Sequence, residues 1–523
     1  MDLLIKNATV YTLSCSERAE EAIAIEGERI TDLGSTADLV RRSREATTVL
    51  DARGKTVVPG FIDSHVHFLD IGIKKGLYLD LGEVSSKQEL FDELRSYVDD
   101  SKREWILGSN WDESNWAGDQ SFPKKQELDE ITSTRPIALQ RVDCHTYCVN
   151  SEALARLDVD GSTRGAETSG NELTGVLSED AAVRVSHEIA PTREDLSRAL
   201  KIAQKEAHSK GVTGVHQMVI DDGEFRDYFH AYQNLLQKGR LNLRCRLYFT
   251  KNYLDDFLNL GIRSNFGDQR LKIGGLKIFT DGSIGSRTAW TTEEYREDPE
   301  RPGISMIETK ELDDLVRHAH MHGLQVAIHA IGDQALQQTI DAIERAMGMR
   351  NRTEESLRHR IEHCEMATDE QIERMANLGI IASMQPNFTG EWGLPGGMYE
   401  KRFGECSLHR LNRLRAFKDR GVRLSLGSDG MPFGPLYGIH WAVNTPFESQ
   451  RLSPREAFRE YTLGSSYAGS SEDRTGTLEP GKFADLALLD DDPIKNPDLI
   501  KDITVEKTIV GGEIVYKREE AEG

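Results

Sequence analysis

Two histidines that stand one residue apart, His65 and His67, are the strongest sign of chemistry in this chain. They follow a short apolar run that Pro59-Gly60 interrupts, which predicts that they lie at the end of a buried strand. Side chains two residues apart on a strand point to the same side, so both imidazoles could hold one metal ion. Buried neutral histidines also commonly donate to a backbone carbonyl, and the pair alone does not separate the two roles.

Further residues with metal-binding side chains end other short apolar runs, namely Lys277, His329, His363 and Asp429. Four histidines, one carboxylate and one lysine would provide the ligands of two zinc-type ions. Two of these residues have an ordinary alternative: Lys277 could pair with Asp281, and Asp429 could cap a turn next to Gly430. The coincidence of ligand types at several strand ends favours the metal site.

Eight β-rich runs separated by helical patterns supply these strand ends. The first ends at His67, and the others cover 211–219, 243–250, 271–280, 323–330, 358–364, 379–384 and 422–426. This alternation is typical of an α/β fold, the (β/α)8 TIM barrel, in which the carboxyl ends of the strands meet on one face.

Three further histidines lie in the helical pattern at 311–322, namely His318, His320 and His322. Because a helix spreads these three side chains around its axis, we expect them to be surface histidines and not a metal cluster.

Strand-like pieces also fill both ends of the chain, at 3–13, 21–26, 29–33 and 48–51 and again at 485–489, 503–510 and 513–516. Because chain termini often lie close together, residues 1–57 and 470–523 are predicted to form one small β-sandwich domain, with the barrel in 58–469. The interval after the first barrel strand predicts an inserted subdomain at about 70–208. An insertion there emerges on the catalytic face and is expected to form part of a lid or pocket wall.

The composition limits the classes of function. A formal net charge of -22 without a basic stripe argues against a nucleic-acid partner. No apolar run is long enough to span a bilayer and the first residues do not form a signal peptide, so we expect no membrane association and a cytoplasmic location. Cys144 and Cys148 are the only close pair of the six cysteines, and they are expected to be reduced thiols.

Several motifs together resemble the amidohydrolase superfamily, in its branch of YtcJ-like and N-substituted formamide deformylase-like proteins. The metal-ligand motifs are His65-Val66-His67, His329-Ala330-Ile331-Gly332-Asp333, Ile361-Glu362-His363 and Gly427-Ser428-Asp429. Further matching motifs are Trp111-Asp112, Thr174-Gly175-Val176-Leu177, Lys277-Ile278-Phe279-Thr280-Asp281, Ser383-Met384-Gln385-Pro386 and Gly476-Thr477-Leu478-Glu479-Pro480-Gly481. The resemblance covers essentially the whole chain and is specific for the branch, but not for one substrate.

The resemblance implies a hydrolase in which metal-activated water attacks a carbonyl or imine-like carbon. His65 and His67 would hold the more buried divalent ion, with Zn2+ as the expected metal, and His329 and His363 would hold a more exposed one. An N-carboxylated Lys277 would bridge two ions, whereas some members work with one ion and no carbamate. Asp429 would be both a ligand and the catalytic group that moves a proton from the water to the leaving nitrogen.

Residues of the insertion and the strand-end loops are implied to contact the substrate. His145 is expected to orient or polarise the substrate as a second catalytic residue, beside Asn150, and Trp111 and Trp392 are expected to line the pocket. Relatives often carry Pro-Tyr where this chain has Trp290 and the residues after it, so this loop is expected to shape specificity. A homodimer is implied by the resemblance alone.

Three functional hypotheses remain open on the sequence. The leading one is hydrolysis of a non-peptide C-N bond, such as an amide, N-formyl, N-acyl or cyclic amide bond of a small molecule. The second is deamination of an amino-substituted ring on the same barrel, usually with one metal. The third is a metal-free binding or scaffold relative, against which the full set of ligand types argues.

Overall fold

A computed structural model describes residues 1–15, 18–100, 103–142, 146–219, 225–297, 299, 303–348 and 357–519. The chain divides into a larger unit, Met1–Phe68 with Gln204–Gly523, and a smaller unit, Leu69–Ala203. In chain order the strands are β1 (Leu3–Lys6), β2 (Thr9–Val10), β3 (Ala22–Glu26), β4 (Arg29–Gly34), β5 (Thr48–Asp51), β6 (Thr56–Pro59), β7 (Phe61–Val66), β8 (Leu79–Asp80), β9 (Ile106–Trp111), β10 (Ile137–Arg141), β11 (Thr146–Val149), β12 (Ala166–Ser169), β13 (Glu172–Ser178), β14 (Val212–Met218), β15 (Arg244–Thr250), β16 (Leu271–Phe279), β17 (Gln325–Ala330), β18 (Arg360–His363), β19 (Ile381–Met384), β20 (Leu424–Leu426), β21 (Leu486–Leu489), β22 (Val505–Val510) and β23 (Glu513–Lys517).

The α-helices alternate with these strands over much of the chain. They are α1 (Thr36–Arg42), α2 (Phe68–Leu77), α3 (Lys87–Asp100), α4 (Lys125–Asp129), α5 (Ser151–Arg156), α6 (Glu179–Glu188), α7 (Arg193–Ser209), α8 (Phe225–Gln237), α9 (Leu254–Leu260), α10 (Thr309–Met321), α11 (Asp333–Met347), α12 (Asp369–Leu378), α13 (Asn387–Glu391), α14 (Met398–Phe403), α15 (Glu405–Leu408), α16 (Leu414–Asp419), α17 (Pro435–Asn444), α18 (Pro454–Arg459) and α19 (Ser465–Ala468).

Eight parallel strands, β7 and β14–β20, form the barrel of the larger unit and pair in chain order. The barrel nearly closes where β20 returns to β7, and there the amide of Asp429 donates to the carbonyl of His65 over 2.7 Å. Strands β14, β17 and β18 are buried along their whole length, because helices cover the outside of such a barrel and side chains fill its interior. The predicted (β/α)8 barrel is confirmed, and each predicted run contains one of these strands.

Two further sheets come from the chain ends. One, in the order β4-β3-β1-β5, is N-terminal, whereas the other, in the order β2-β6-β21-β22-β23, combines both ends of the chain. Alternate residues of the two sheets share one apolar core, which includes Leu3, Ile23, Val57, Leu486 and Ile509. The expected β-structure of both termini is therefore present, while its limits at residues 57 and 470 stay a prediction.

The smaller unit contains the predicted insertion and has a six-stranded sheet of its own. The strand order is β12-β13-β11-β10-β9-β8. Its core gathers apolar side chains from the sheet and from α3 and α4, including Leu90, Leu94, Ile106, Leu128 and Leu139. The inserted subdomain therefore folds around its own core.

One expectation about the helices is wrong. Of the three alternating histidines near the end of α10, His320 is buried, and its Nδ1 lies 2.9 Å from Nε2 of His359. This face of α10 packs against β17, so the helix turns His320 inward.

The five cysteines among the described residues are free thiols, namely Cys15, Cys148, Cys245, Cys364 and Cys406, and Cys144 lies outside the described residues. No helix within the described ranges is long and apolar enough to cross a bilayer.

Candidate metal centre

His65, His67 and Asp429 form a compact group where β7 and β20 end. One ligand atom from each of the three side chains lies within 4.8 Å of the other two. Asp429 Oδ1 is 3.5 Å from Nε2 of His65 and 3.2 Å from Nε2 of His67. The structure therefore brings the first-strand pair and the eighth-strand carboxylate together, as the sequence predicted for a metal site.

Hydrogen bonds on the far side of each imidazole fix which nitrogen faces this group. His65 Nδ1 lies 2.6 Å from Oε2 of Glu362, and His67 Nδ1 lies 2.8 Å from the carbonyl oxygen of Met218. Because a carboxylate and a carbonyl accept hydrogen bonds, both Nδ1 atoms must donate, and both Nε2 atoms keep a free lone pair. Such a partner behind a metal-binding histidine orients its ring and raises its basicity.

The other two predicted histidines continue the row of rings. The ring of His363 is 4.8 Å from that of His65, and the ring of His329 is 4.4 Å from that of His363. Nε2 of His329 donates to the carbonyl of Gly282 over 3.0 Å, which leaves its Nδ1 as the acceptor. All four histidines from three strand ends therefore line one continuous site.

Lys277 projects from β16 into the same site. Its Nζ lies 3.5 Å from Nε2 of His65 and 4.7 Å from the centre of the Phe279 ring. The proposed alternative, a pair with Asp281, does not form: the oxygens of Asp281 accept the amides of Trp290, Ile331 and Gly332. The side chain of Lys277 therefore lies against the candidate metal ligands and not against Asp281.

The backbone around β20 is shaped to hold Asp429. Asp429 has a left-handed conformation, with φ of 57°, which is uncommon for a residue other than glycine but which aspartate adopts more readily than most. A Cβ at Gly427 would overlap the amide nitrogen of His65, so β7 and β20 approach this closely only because residue 427 is a glycine. Asp63 ties the same two strand ends, because it accepts the amide and the hydroxyl of Ser428 over 3.0 and 2.5 Å.

A buried pair of charges supports His65 from behind. Arg360 and Glu362 are both fully buried in β18, and Arg360 Nε donates to Oε1 of Glu362 over 2.5 Å. Arg360 Nη2 also donates to Oε2 of Glu362 and to the carbonyl of Ser64. Neither residue was predicted to support the site, although two charges that flank Ile361 on a buried strand are a detectable signal of an interior network.

Burial and charge set the protonation of the site. Burial and the nearby Lys277 hold the pKa of His65 well below its usual value, so the ring is neutral, as a ligand must be. Burial lowers the pKa of Lys277 to about 8. Burial raises the pKa of Asp429, but His65, His67 and Lys277 outweigh it and bring the value down to about 2. At neutral pH the ring of His65 is therefore neutral and the carboxylate of Asp429 is ionised.

The residues fit a divalent metal ion. Nitrogen and carboxylate oxygen are the donor set that zinc and related ions prefer. Nδ1 of His363 and Oδ1 of Asp429 are buried and have no hydrogen-bond partner among the described residues, which is costly unless another group satisfies them. A bound divalent cation would remove this cost.

Two of the predicted substrate-contacting residues, Asn150 and Trp111, lie buried inside the smaller unit. His145 lies outside the described residues. Asn150 is fully buried in the smaller unit, where its amide bonds to Ile137 and Ala153 and to two backbone carbonyls occupy all its donors and acceptors. Trp111 is fully buried in that unit's core, with its ring 5.7 Å from that of Trp116. These positions indicate structural roles, and contact with substrate stays a prediction.

Trp392 lies in the same unit as the metal centre and is connected to it by aromatic contacts. It is half-buried, and its ring is 4.7 Å from that of Phe388. Phe388 in turn stacks on His363 at 6.1 Å with an angle of 10° between the rings. The predicted pocket residue therefore stands one aromatic ring away from a candidate ligand.

Comparison with known proteins agrees with this geometry. A sequence profile of the amidohydrolase family matches residues 48–516. The chain is 29% identical to the protein YtcJ of Bacillus subtilis (strain 168), over 97% of this chain and 98% of that protein. It is 27% identical to the N-substituted formamide deformylase of Arthrobacter pascens, over 99% of this chain and 98% of the relative. The crystal structure of an uncharacterized metal-dependent hydrolase from Pyrococcus furiosus superposes with a TM-score of 0.80 at 30% identity, over 94% of this chain and 99% of that one.

Proposed function

Because the chain belongs to the amidohydrolase family, we propose that it uses a divalent metal to hydrolyse a carbon-nitrogen bond, other than a peptide bond, in a small molecule. The preferred substrates are N-formyl, N-acyl or cyclic amides. The name of the relative from Arthrobacter pascens supports an amide of this kind. Zinc is the proposed ion, and a cytoplasmic homodimer is the proposed form of the enzyme.

One observation carries the proposal. His65, His67 and Asp429 each bring one ligand atom within 4.8 Å of the other two. The ring of His363 is 4.8 Å from that of His65, and its buried Nδ1 has no hydrogen-bond partner among the described residues. A purely structural cluster would satisfy these atoms within the protein. The arrangement is instead suited to a cation and to a polar substrate.

The chain's own residues account for the proton transfers. When bound, a divalent ion supplies a Lewis acid that polarises a carbonyl and lowers the pKa of a water ligand from about 15.7 to about 7. Asp429, ionised at neutral pH, accepts a proton from the attacking water as its oxygen bonds to the carbonyl carbon. The same carboxyl then gives that proton to the leaving nitrogen as the carbon-nitrogen bond breaks. The products are a carboxylic acid and an amine.

Lys277 is proposed to carry a carbamate. Its Nζ lies 3.5 Å from Nε2 of His65, at the centre of the row of rings. The neutral amine of Lys277 adds to CO2 and releases a proton, and the resulting carbamate shares one negative charge between two oxygens, which could serve as ligands of two ions. His329 and His363 would then complete the second ion's ligands.

Hydrolysis of a substrate panel tests the proposal. We expect the metal-replete enzyme to hydrolyse at least one N-formyl, N-acyl or cyclic amide compound, and the Asp429→Asn variant to lose that activity. The matched control is Asp313→Asn, since Asp313 lies on α10 and its carboxylate pairs with Arg345 of the neighbouring helix α11, away from the candidate ligands. No activity on any amide, together with activity on aminopyrimidines, would overturn the first choice.

Deamination of an amino-substituted ring is the second candidate. It is favoured by the compact three-residue group of His65, His67 and Asp429, which is enough for one ion. The number of metal ions bound per chain, measured before and after the Lys277→Ala change, distinguishes the two reactions. A fall from two ions to one supports a bridging lysine and amide hydrolysis. A single ion that remains bound in Lys277→Ala supports the deaminase.

A further inference from the structure

A polar cavity opens at the end of the barrel opposite the candidate metal centre. It has a volume of about 840 Å³, and its walls include Thr213, Arg244, Lys272 and Gln325. These residues begin the strands β14 to β17, whereas the candidate metal ligands stand where the strands end. The cavity lies within the larger unit and shares no residue with the row of histidines.

The cavity wall has a surplus of positive charge in a protein of net charge -22. Among the described residues, six cationic and three acidic side chains line it. Arg244 pairs with Asp485 and Arg358 pairs with Glu472, so these four charges cancel. Within the described ranges, the other four cations have no carboxylate at ion-pair distance; they are Arg246, Arg263, Lys272 and Arg474.

Neighbouring strands place the cations at the same level. In the register of the parallel sheet, Arg246 of β15 lies directly beside Lys272 of β16 on one side and His216 of β14 on the other. Like charges that face each other across strands destabilise a sheet. Burial lowers the pKa of Lys272 to about 8, and the nearby positive charges of Arg246 and Arg474 add to this effect. A bound anion would relieve the repulsion between these cations.

Arg246 makes the cavity more than a basic patch. The side chain of Arg246 is 7% exposed, and its Nη1 donates a hydrogen bond to Oδ1 of Asn265 over 2.5 Å. Its guanidinium carries five donors, so donors remain for a ligand in the cavity. A buried guanidinium without a carboxylate is costly and is normally compensated by an anion. Arg263 and Arg474 are exposed at the rim, so positive charge extends from solvent to the buried floor.

We propose that this cavity binds a small oxyanion with at least two negative charges, of the phosphate or polycarboxylate kind. Guanidinium groups hold such oxygens through paired hydrogen bonds, and the rim cations attract the anion from solvent. The volume is in the range of small-molecule sites and is ample for one such anion.

Calorimetric titration of the full chain with inorganic phosphate, and separately with tricarballylate, tests the proposal. We expect at least one of them to bind, and Arg246→Gln and Lys272→Gln to weaken binding about 10-fold or more, the worth of one charge-assisted hydrogen bond. Tighter phosphate binding identifies a phosphate-type ligand, and tighter tricarballylate binding a polycarboxylate. Lys401→Gln, an exposed cation outside the cavity, should bind as the unchanged protein does.

Two further variants keep the outcome clear. If Arg246→Gln does not fold, anion binding by Lys272→Gln and by Arg474→Gln, which changes an exposed side chain, tests the proposal in its place, and both should bind more weakly than the unchanged protein. His67→Asn, which alters the metal centre, should leave binding intact. Absence of binding by both anions, or binding that His67→Asn abolishes and the cavity variants leave unchanged, would overturn the proposal whether or not the enzyme proves to be an amide hydrolase.

Discussion

Replacing Glu362 with glutamine tests whether a buried carboxylate keeps His65 in place as a metal ligand. Glu362 Oε2 accepts from Nδ1 of His65 over 2.6 Å, and both oxygens accept from Arg360 over 2.5 and 2.9 Å. All three side chains are buried. Glutamine has the same shape, but one of its two terminal atoms is a donor and would face another donor in either orientation.

Two losses are expected from this change. Arg360 would lose the counter-ion of its buried charge, and breaking such a pair by removing one partner costs about 3–5 kcal/mol of the free energy of unfolding. His65 would lose the acceptor that orients its ring, and loss of such a partner weakens metal binding about 10- to 100-fold. Burial raises the pKa of Glu362, but Arg360 outweighs this and the pKa lies below its usual value, so the charge is present at neutral pH.

The assay is a competition for the metal with a fluorescent chelator, together with urea unfolding of the same preparations. The matched control is Glu344→Gln, which removes a carboxylate that pairs with Arg374 on the outside of the barrel. Glu344 is half exposed, so its pair contributes at most about 1 kcal/mol. A folded Glu362→Gln protein whose metal affinity stays within about 2-fold of the unchanged protein would refute the orienting role.

The remaining predictions concern packing, pH and the smaller unit. Gly427→Ala forces β7 and β20 apart, so we expect about 1–3 kcal/mol lower stability in urea and weaker binding in the chelator assay; unchanged values would contradict the close approach. Burial lowers the pKa of His208 to about 4, below its unfolded value of about 6.5, so unfolding should become easier by up to about 3 kcal/mol as pH falls through this interval. His208→Gln should make the free energy of unfolding less dependent on pH in this interval. A dependence as steep as that of the unchanged protein would contradict the assignment of the effect to His208. Asn150→Ala should lower stability by about 2–3 kcal/mol and leave the number of bound ions unchanged, because Asn150 bonds only within its own unit among the described residues.

The barrel and the row of candidate ligands could be predicted because each rests on a local pattern. Runs such as 325–330 and 381–384 are short and mostly apolar, and a histidine or aspartate at the end of a run of this kind marks the face where the strands converge. His65, His67 and Asp429 therefore came together as expected. The recurrence of the pattern at several strands, and not any single motif, made the prediction strong.

What the sequence missed depends on contacts between distant elements. The support of His65 by Glu362 and Arg360 joins β7 to β18, and no spacing in the chain records which histidine a buried glutamate will hold. His320 was expected at the surface because helical periodicity alone does not say which face of α10 packs on the barrel. The four hydrogen bonds of Asn150 likewise join separate segments, since they link the start of α5 to the backbone of Thr132, Arg135 and Ile137, and its predicted contact with substrate stays a prediction.

The number of metal ions per purified chain tests the central claim most directly, namely that the strand-end residues hold a divalent metal. Elemental analysis of the unchanged protein should find one or two ions per chain, and His65→Asn should lose at least one of them. His322→Asn is the control, because His322 is an exposed histidine beyond the end of α10. A purified protein without metal, or the same ion content in His65→Asn and His322→Asn, would contradict the account.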